Sequence, residues 1–190
     1  MMMLTAPTAT AAQVVRAILR RPHGAYTATD VAAIADAYAA TCAAGGLDLA
    51  MVAAQMIHET DNLSSWWAAR PRRNPAGIGV TGREAPGKPP AGAWAQNGAI
   101  WCEGCSFATW ANDAVPAHVG RLLAYALAPG QGTTLQQRLI AQALGYRALP
   151  AGFRGVAAAT GWQALNGRWA VPGSDYDQRI TRIAETIRRA

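Results

Sequence analysis

Cysteine, phenylalanine and long apolar segments are all scarce in this sequence. The 190 residues include only three Cys and two Phe. Three cysteines cannot form a full set of disulfides, and a chain of this length buries enough surface to fold without them. No uncharged apolar run approaches the roughly 18 residues that a membrane-spanning helix requires. We therefore expect one domain over residues 1–190, with a hydrophobic core and without a membrane span.

The few cysteines include one Cys-x-x-Cys pair, Cys102 and Cys105. A zinc site would need two further ligands, which could come only from Cys42 and the three histidines. A local disulfide or two free thiols are therefore favoured over zinc, and a redox motif is the least favoured interpretation. We expect neither a metal centre nor a cofactor.

Acidic residues are also few, and their shortage leaves the chain basic. Eleven Asp and Glu against 17 Lys and Arg give a net charge of +6. Such a chain is attracted to nucleic acid, anionic membranes or acidic wall polymers, unless the charge only solvates the surface. The arginine clusters, at 20–21, 70–73 and 188–189, are short, and there is no long basic arm. This distribution argues against nucleic acid as the partner.

Hydrophobic residues make up 51% of the chain, and alanine, which favours helices, supplies much of that fraction. Capping patterns at Thr27 with Asp30, at Asp48, and at Ser174 with Asp177 mark helix starts. Helices are predicted at 10–21, 27–44, 49–60, 113–128, 134–145 and 175–189. The segment 71–106 is rich in Gly and Pro, which indicates an inserted irregular lobe with a small β-hairpin. The predicted fold class is mainly α (α+β).

Glu59 ends the predicted helix 49–60 at the margin of its apolar face. A carboxyl in that position is partly desolvated, which favours its protonated form. A glycosidase acid needs such a group to protonate the leaving oxygen near neutral pH. The alternative is a glutamate that simply extends into solvent from a helix end. A zinc-protease helix is excluded because Asn62 stands where the second histidine is required.

Four segments of the chain resemble, in the same order, the glucosaminidase family of peptidoglycan hydrolases. The first is Ala53-Ala54-Gln55-Met56-Ile57-His58-Glu59-Thr60, which is similar to the helix that ends in the family's catalytic glutamate. The others are the Asn-x-x-Gly-Ile turn at 74–78, the aromatic segment at 107–110, and the Tyr-x-x-Arg-Ile sequence at 176–180. The resemblance covers residues 45–185 and implies a lysozyme-like helical fold.

The resemblance implies that the protein hydrolyses a β-1,4 bond of the peptidoglycan glycan strand after N-acetylglucosamine. Glu59 would be the general acid, and Tyr176 would lie beside it in the groove. A muramidase or a lytic transglycosylase would look the same at this level. A non-catalytic wall-binding module and a basic nucleic-acid binder are alternatives of a different class.

A second catalytic group and a sugar-binding surface remain to be assigned. Asp61, Glu84, Glu103 and Asp113 could supply a second carboxylate, with Glu84 and Glu103 better placed, or the substrate's N-acetyl group could act instead. Asn74, Gly77 and Ile78 would form a turn that approaches the sugar. The candidate sugar platforms, of which we expect at least two in the core, are Trp66, Trp67, Trp94, Trp101 and Trp110.

Two stretches depart from the family pattern. The family has Gly-Trp-Gly and then Ser after its glutamate, whereas this chain has Asp61-Asn62-Leu63 before Ser64. The segment 80–106 matches no pattern of the family. These departures leave the sugar subsite and the second carboxylate open.

The expected partner is the glycan strand of peptidoglycan, bound by a monomer that acts at the bacterial cell wall. Residues 1–12 have neither a basic n-region nor a full apolar h-region, so no secretory signal is visible. We therefore expect delivery by another route, such as phage-type release.

Overall fold

The computed structural model describes residues 1–150, 152–169 and 173–190. Within them lie six α-helices and three short strands. In chain order the elements are α1 (Ala11–Leu19), α2 (Ala28–Gly45), α3 (Leu49–Glu59), β1 (Glu84–Ala85), β2 (Trp94–Asn97), β3 (Ile100–Glu103), α4 (Val115–Ala126), α5 (Thr134–Tyr146) and α6 (Tyr176–Arg188). A π-helical turn (Trp110–Ala114) precedes α4, and a 3-10 helix (Gly161–Leu165) precedes α6. The predicted class, mainly α with a small β component, is confirmed.

Four of the six described α-helices begin at a side chain that caps them, and α4 and α6 do not. The predicted capping box of Thr27 and Asp30 is present at α2, and Asp48 accepts the amide of Ala50 at the start of α3. The predicted capping box of Ser174 and Asp177 at α6 is wrong. Asp177 instead exchanges two hydrogen bonds with Asn166, which follows the 3-10 helix. A tertiary partner has replaced the local cap.

The inserted lobe contains a three-stranded antiparallel sheet in the order β1-β3-β2. The predicted hairpin is formed by β2 and β3, with Trp94 opposite Glu103 and Asn97 opposite Ile100. The third strand, β1, consists of two residues and is too short to leave a pattern in the sequence. The lobe is therefore a small sheet attached to the helical bundle.

The core is centred on α3, whose residues 49–57 are all buried. Helix α3 packs against α6, α2 and α1, while α4 packs closely against α5. Gly120 allows that second contact, because a side chain there would overlap the backbone carbonyl of Leu139. No helix in the described part of the chain is both long and apolar enough to cross a membrane.

Helix α3 ends abruptly at Glu59, and this fixes the position of its carboxyl. Asp61, Asn62 and Leu63 follow with left-handed backbone angles, φ 46°, 55° and 67°. Asn62 anchors the turn by donating to the carbonyls of Ile18 (3.0 Å) and Pro22 (2.8 Å). Asparagine tolerates this backbone conformation better than most residues. The turn therefore makes Glu59 the last residue of a buried helix.

Candidate active site

A groove of about 960 Å³ opens beside the end of α3. Its walls come from the turn that follows Asn74, from the end of α5 and from the segment after the 3-10 helix. The side chains that matter for the chemistry are Glu59, Thr81, Arg121, Tyr125, Tyr146, Arg147, Arg168 and Trp169. A cavity of this size accommodates a ligand larger than one sugar.

The carboxyl of Glu59 is held differently at its two oxygens. Tyr176, which is buried, donates its hydroxyl proton to Oε1 at 2.5 Å. The other oxygen, Oε2, lies beside Gly77, where a Cβ atom would stand 3.7 Å away. Burial raises the pKa of Glu59 above its usual value, and the hydrogen bonds from Tyr176 and Trp169 lower it by a smaller amount. The carboxyl thus has one anchored oxygen and a raised proton affinity.

Tyr176 is itself the end of a buried chain of hydrogen bonds. Gln55 Nε2 donates to the Tyr176 hydroxyl at 2.7 Å, and Gln55 Oε1 lies 3.0 Å from His118 Nε2. An amide oxygen only accepts, so His118 carries its proton on Nε2. Its Nδ1 then accepts the hydroxyl proton of Tyr38 at 2.9 Å. Every donor in the chain therefore points towards Glu59.

The predicted turn at Asn74 is present, but Asn74 is a structural residue. Its side chain is 1% exposed and donates to the carbonyls of Ile78 and Cys105. Its oxygen accepts the amides of Ala76 and Ile78. Asn74 does not line the groove, whereas Gly77 and Ile78 do. The expected contact of Asn74 with substrate is replaced by an indirect role, which is to hold Gly77 next to Glu59.

The predicted second carboxylates lie outside the groove. Glu84 is exposed on β1, and Glu103, 8% exposed, accepts hydrogen bonds from Thr81 and Arg83 in a smaller neighbouring pocket. The side chain of Asp61 is 79% exposed. Asp113 accepts hydrogen bonds from the backbone amide and the hydroxyl of Thr109. Among the described residues, Glu59 is the single carboxyl that lines the groove.

The tryptophans proposed as sugar platforms also pack elsewhere. Trp110 is 9% exposed and donates its indole N–H to Tyr26 at 3.0 Å, so it belongs to the core. The guanidinium of Arg72 stacks on Trp66, 3.7 Å from the ring centroid. The ring of Trp67 fills the space beside Gly104. None of the three lines the groove; Trp110 is buried, whereas Trp66 and Trp67 are half-buried.

The lobe residues do not form a metal or disulfide site. Trp94 donates its indole N–H to the carbonyl of Ala91, and Lys88 lies over the ring of Trp101. Cys102 and Cys105 are free thiols, so the alternative of a local disulfide is not realised. Within residues 1–150, 152–169 and 173–190, no group of three or more His, Cys, Asp or Glu side chains is placed to hold a metal ion.

The groove contains aromatic and basic side chains that sequence reasoning missed. Trp169 packs against Tyr125 and His118, with ring centroids 5.7 Å and 6.0 Å away. Arg121 places its guanidinium 5.9 Å from the Trp169 centroid. These residues come from α4 and from an irregular segment, so no local spacing in the sequence connects them. Only the fold brings them to Glu59.

The arrangement suits proton transfer to a bound sugar. A partly buried carboxyl with a raised pKa can hold a proton at a pH where an exposed glutamate has lost it. Trp169 and Tyr146 supply aromatic faces along the same groove. No protein-family model matches the chain, and comparison with curated proteins and with solved structures gives no significant match.

Proposed function

We propose that this protein is a glycosidase of peptidoglycan, with Glu59 as the general acid. One observation carries the proposal: among the described residues, Glu59 is the single carboxyl in a groove that also has aromatic side chains, and burial raises its pKa. Glycosidic bond cleavage requires a protonated acid beside the leaving oxygen. The resemblance of residues 45–185 to glucosaminidases suggests a β-1,4 bond after N-acetylglucosamine as the target.

The single carboxyl favours a mechanism that needs no second one. Glu59 Oε2 donates its proton to the leaving oxygen, and the bond from that oxygen to the anomeric carbon breaks. The N-acetyl carbonyl of the same sugar attacks the anomeric carbon and forms a cyclic intermediate. Water then opens this ring and gives its proton to the Glu59 carboxylate, which restores the acid. Tyr176 keeps the carboxyl in place throughout by its hydrogen bond to Oε1.

A lytic transglycosylase is the second candidate, because it also works with one glutamate. In that reaction a hydroxyl of the muramic sugar attacks its own anomeric carbon and forms an anhydro ring without water. A muramidase would cut the alternate β-1,4 bond. Mass spectrometry of fragments from purified peptidoglycan separates all three, since hydrolysis adds one water and the reducing end identifies the sugar that was cut.

The replacement Glu59→Gln tests the proposal directly. General acid catalysis contributes about 10²–10⁴-fold, so the variant should release almost no fragments while it folds normally. Glu185→Gln is the matched control, because Glu185 is a half-exposed carboxyl on α6 that forms an ion pair with Arg189 and does not line the groove. If Glu59→Gln keeps more than about a tenth of wild-type turnover, Glu59 is not the acid.

A further inference from the structure

Three arginine side chains line the same groove as Glu59 and lack an acidic partner. They are Arg121 on α4, Arg147 directly after α5, and Arg168 after the 3-10 helix. In the described parts of the chain, the six ion pairs involve other residues. Glu103, in the neighbouring pocket that Arg147 also lines, is paired with Arg83. The groove therefore carries a concentrated and unneutralised positive charge.

Arg121 and Arg147 lie close enough for their charges to interact. Arg121 is partly buried, and its Nη1 donates to the backbone carbonyl of Arg147 at 2.9 Å. Burial lowers the pKa of Arg121, Tyr125 raises it, and the charge of Arg147 lowers it further. A partly buried guanidinium beside a second positive charge is destabilised, and an anion bound between the two charges would relieve this. Guanidinium groups bind carboxylates in a planar, two-bond geometry.

Trp169 connects this cationic site to the catalytic acid. Its ring lies 5.9 Å from the Arg121 guanidinium, and its side chain also acts as a hydrogen-bond donor towards Glu59. The indole ring of Trp169 therefore lies close to both the Arg121 guanidinium and Glu59.

We infer that Arg121 and Arg147 bind a carboxylate carried by the sugar next to the cleaved bond. The groove would then select glycans with an acidic substituent over neutral N-acetylglucosamine polymers of the same linkage. This inference rests on the proposed glycosidase function and names the substrate class of that same site.

Peptidoglycan offers such a carboxylate from two sources. The lactyl ether of muramic acid ends in a free carboxylate once its stem peptide has been removed. When the peptide is attached, the lactyl group is an amide and the carboxylates belong to the peptide. Peptide-free and peptide-bearing strands therefore present the same chemistry at different distances from the sugar ring.

The test compares kcat/KM on three substrates: peptide-bearing strands, peptide-free strands and neutral N-acetylglucosamine oligomers. Loss of a hydrogen bond to a charged group costs about ten- to hundredfold in binding. The double variant Arg121→Gln, Arg147→Gln should reduce kcat/KM on the preferred acidic strand by at least that factor. The reduction in kcat/KM on the neutral oligomer should be about tenfold smaller. The strand that loses more identifies the source of the carboxylate. Arg121→Lys should recover part of the loss, because it keeps the charge without the two-bond geometry.

The control is Arg20→Gln with Arg138→Gln, which removes the same charge from exposed positions outside the groove. Equal losses in the two double variants, or equal losses on acidic and neutral substrates, would overturn the inference and leave the glycosidase proposal intact. If the wild-type protein cleaves none of the substrates, its binding affinity for a muramic acid disaccharide and for the neutral analogue is measured by calorimetry instead. Binding that prefers the acid and depends on Arg121 and Arg147 would support the inference while the glycosidase proposal falls, and equal binding would overturn it.

Discussion

The behaviour of Glu59 depends on a competition between burial and hydrogen bonding. Burial disfavours the carboxylate and raises the pKa, while the hydroxyl of Tyr176 favours the carboxylate. Burial is the larger effect, so the group keeps its proton at higher pH than a free glutamate. Because the anchored oxygen is Oε1, the proton needed for catalysis can reside on Oε2.

Replacement of Tyr176 by phenylalanine should change the pH profile in a defined direction. The hydrogen bond from Tyr176 lowers the pKa of Glu59, so its loss raises that pKa. A general acid loses activity as pH rises through its pKa, and the basic limb of kcat/KM should therefore move to higher pH. Gln55 also loses its acceptor, which should reduce the free energy of unfolding by about 1–3 kcal/mol.

Tyr26→Phe separates the two effects of this change. The Tyr26 hydroxyl donates to the carbonyl of Ala68 and accepts from Trp110, away from the groove. Its loss should destabilise the protein to a similar degree and leave the pH profile in place. If Tyr176→Phe also leaves the basic limb unmoved, Tyr176 does not act on the Glu59 proton.

At the level of single residues, sequence reasoning singled out Glu59 and Tyr176, which the structure brings together, but not the aromatic and basic side chains of the groove. Tyr176 donates to Glu59, as the prediction that they lie together requires. Trp110 was proposed as a platform because tryptophan suits both sugars and cores. What separates the two uses is whether neighbouring protein covers the ring. That depends on tertiary contacts such as the one with Tyr26, which the sequence does not reveal.

At the level of elements, four helices meet through the buried hydrogen-bond chain. Tyr38 comes from α2, His118 from α4, Gln55 from α3 and Tyr176 from α6. All four side chains are at most 2% exposed, so each polar group needs its partner. The chain fixes α3 relative to α6 and thereby sets the position of Glu59 against Tyr176.

His118 should make folding sensitive to acid. Burial lowers its pKa from the usual 6.5 to about 3. Between these two pKa values His118 is protonated in the unfolded chain and neutral in the folded chain. The free energy of unfolding is therefore highest above pH 6.5 and decreases as pH falls towards 3. Between pH 6.5 and 4.5 this amounts to a loss of about 2 kcal/mol in the free energy of unfolding. Urea unfolding at the two pH values measures it.

The measurement is best made in the Glu59→Gln protein, because the raised pKa of Glu59 makes stability depend on pH with the opposite sign. Its raised pKa adds stability as pH falls. His118→Gln should lower stability overall and reduce the acid-dependent loss, leaving the part that comes from His58, whose pKa is also lowered by burial. His23→Gln, at a partly exposed histidine, should keep the acid-dependent loss unchanged. An equal acid-dependent loss with and without His118 would mean that His118 is not kept neutral by burial.

Local signals explain why most elements, but not all, could be predicted. Helix α2 begins at a capping box that lies within four consecutive residues. Helix α6 begins where Asp177 exchanges hydrogen bonds with Asn166, a partner eleven positions away. The 3-10 helix Gly161–Leu165 was not predicted, since its five residues are too few to show a helical periodicity.

At the scale of the whole molecule, charge and groove are related. The net charge is +6, and three of the basic residues face a groove with a single carboxyl. The composition alone suggests attraction to polyanions, with a merely basic surface as the alternative. It could not predict the groove, because Arg121, Arg147 and Arg168 come from separate parts of the chain and are assembled only by folding.

Retention on purified cell walls should therefore depend on salt. The Glu59→Gln protein, which leaves the wall intact, is incubated with sacculi at increasing ionic strength and the bound fraction is measured. The Debye length falls from about 10 Å at 0.1 M to about 3 Å at 1 M, so charge-driven retention should decline steeply. Chitin, a neutral polymer of N-acetylglucosamine, is the control, because its binding involves no net charge and should change little. Retention on sacculi that is as strong at 1 M as at low salt would contradict the prediction, since aromatic stacking on groove residues such as Trp169 would then carry the contact.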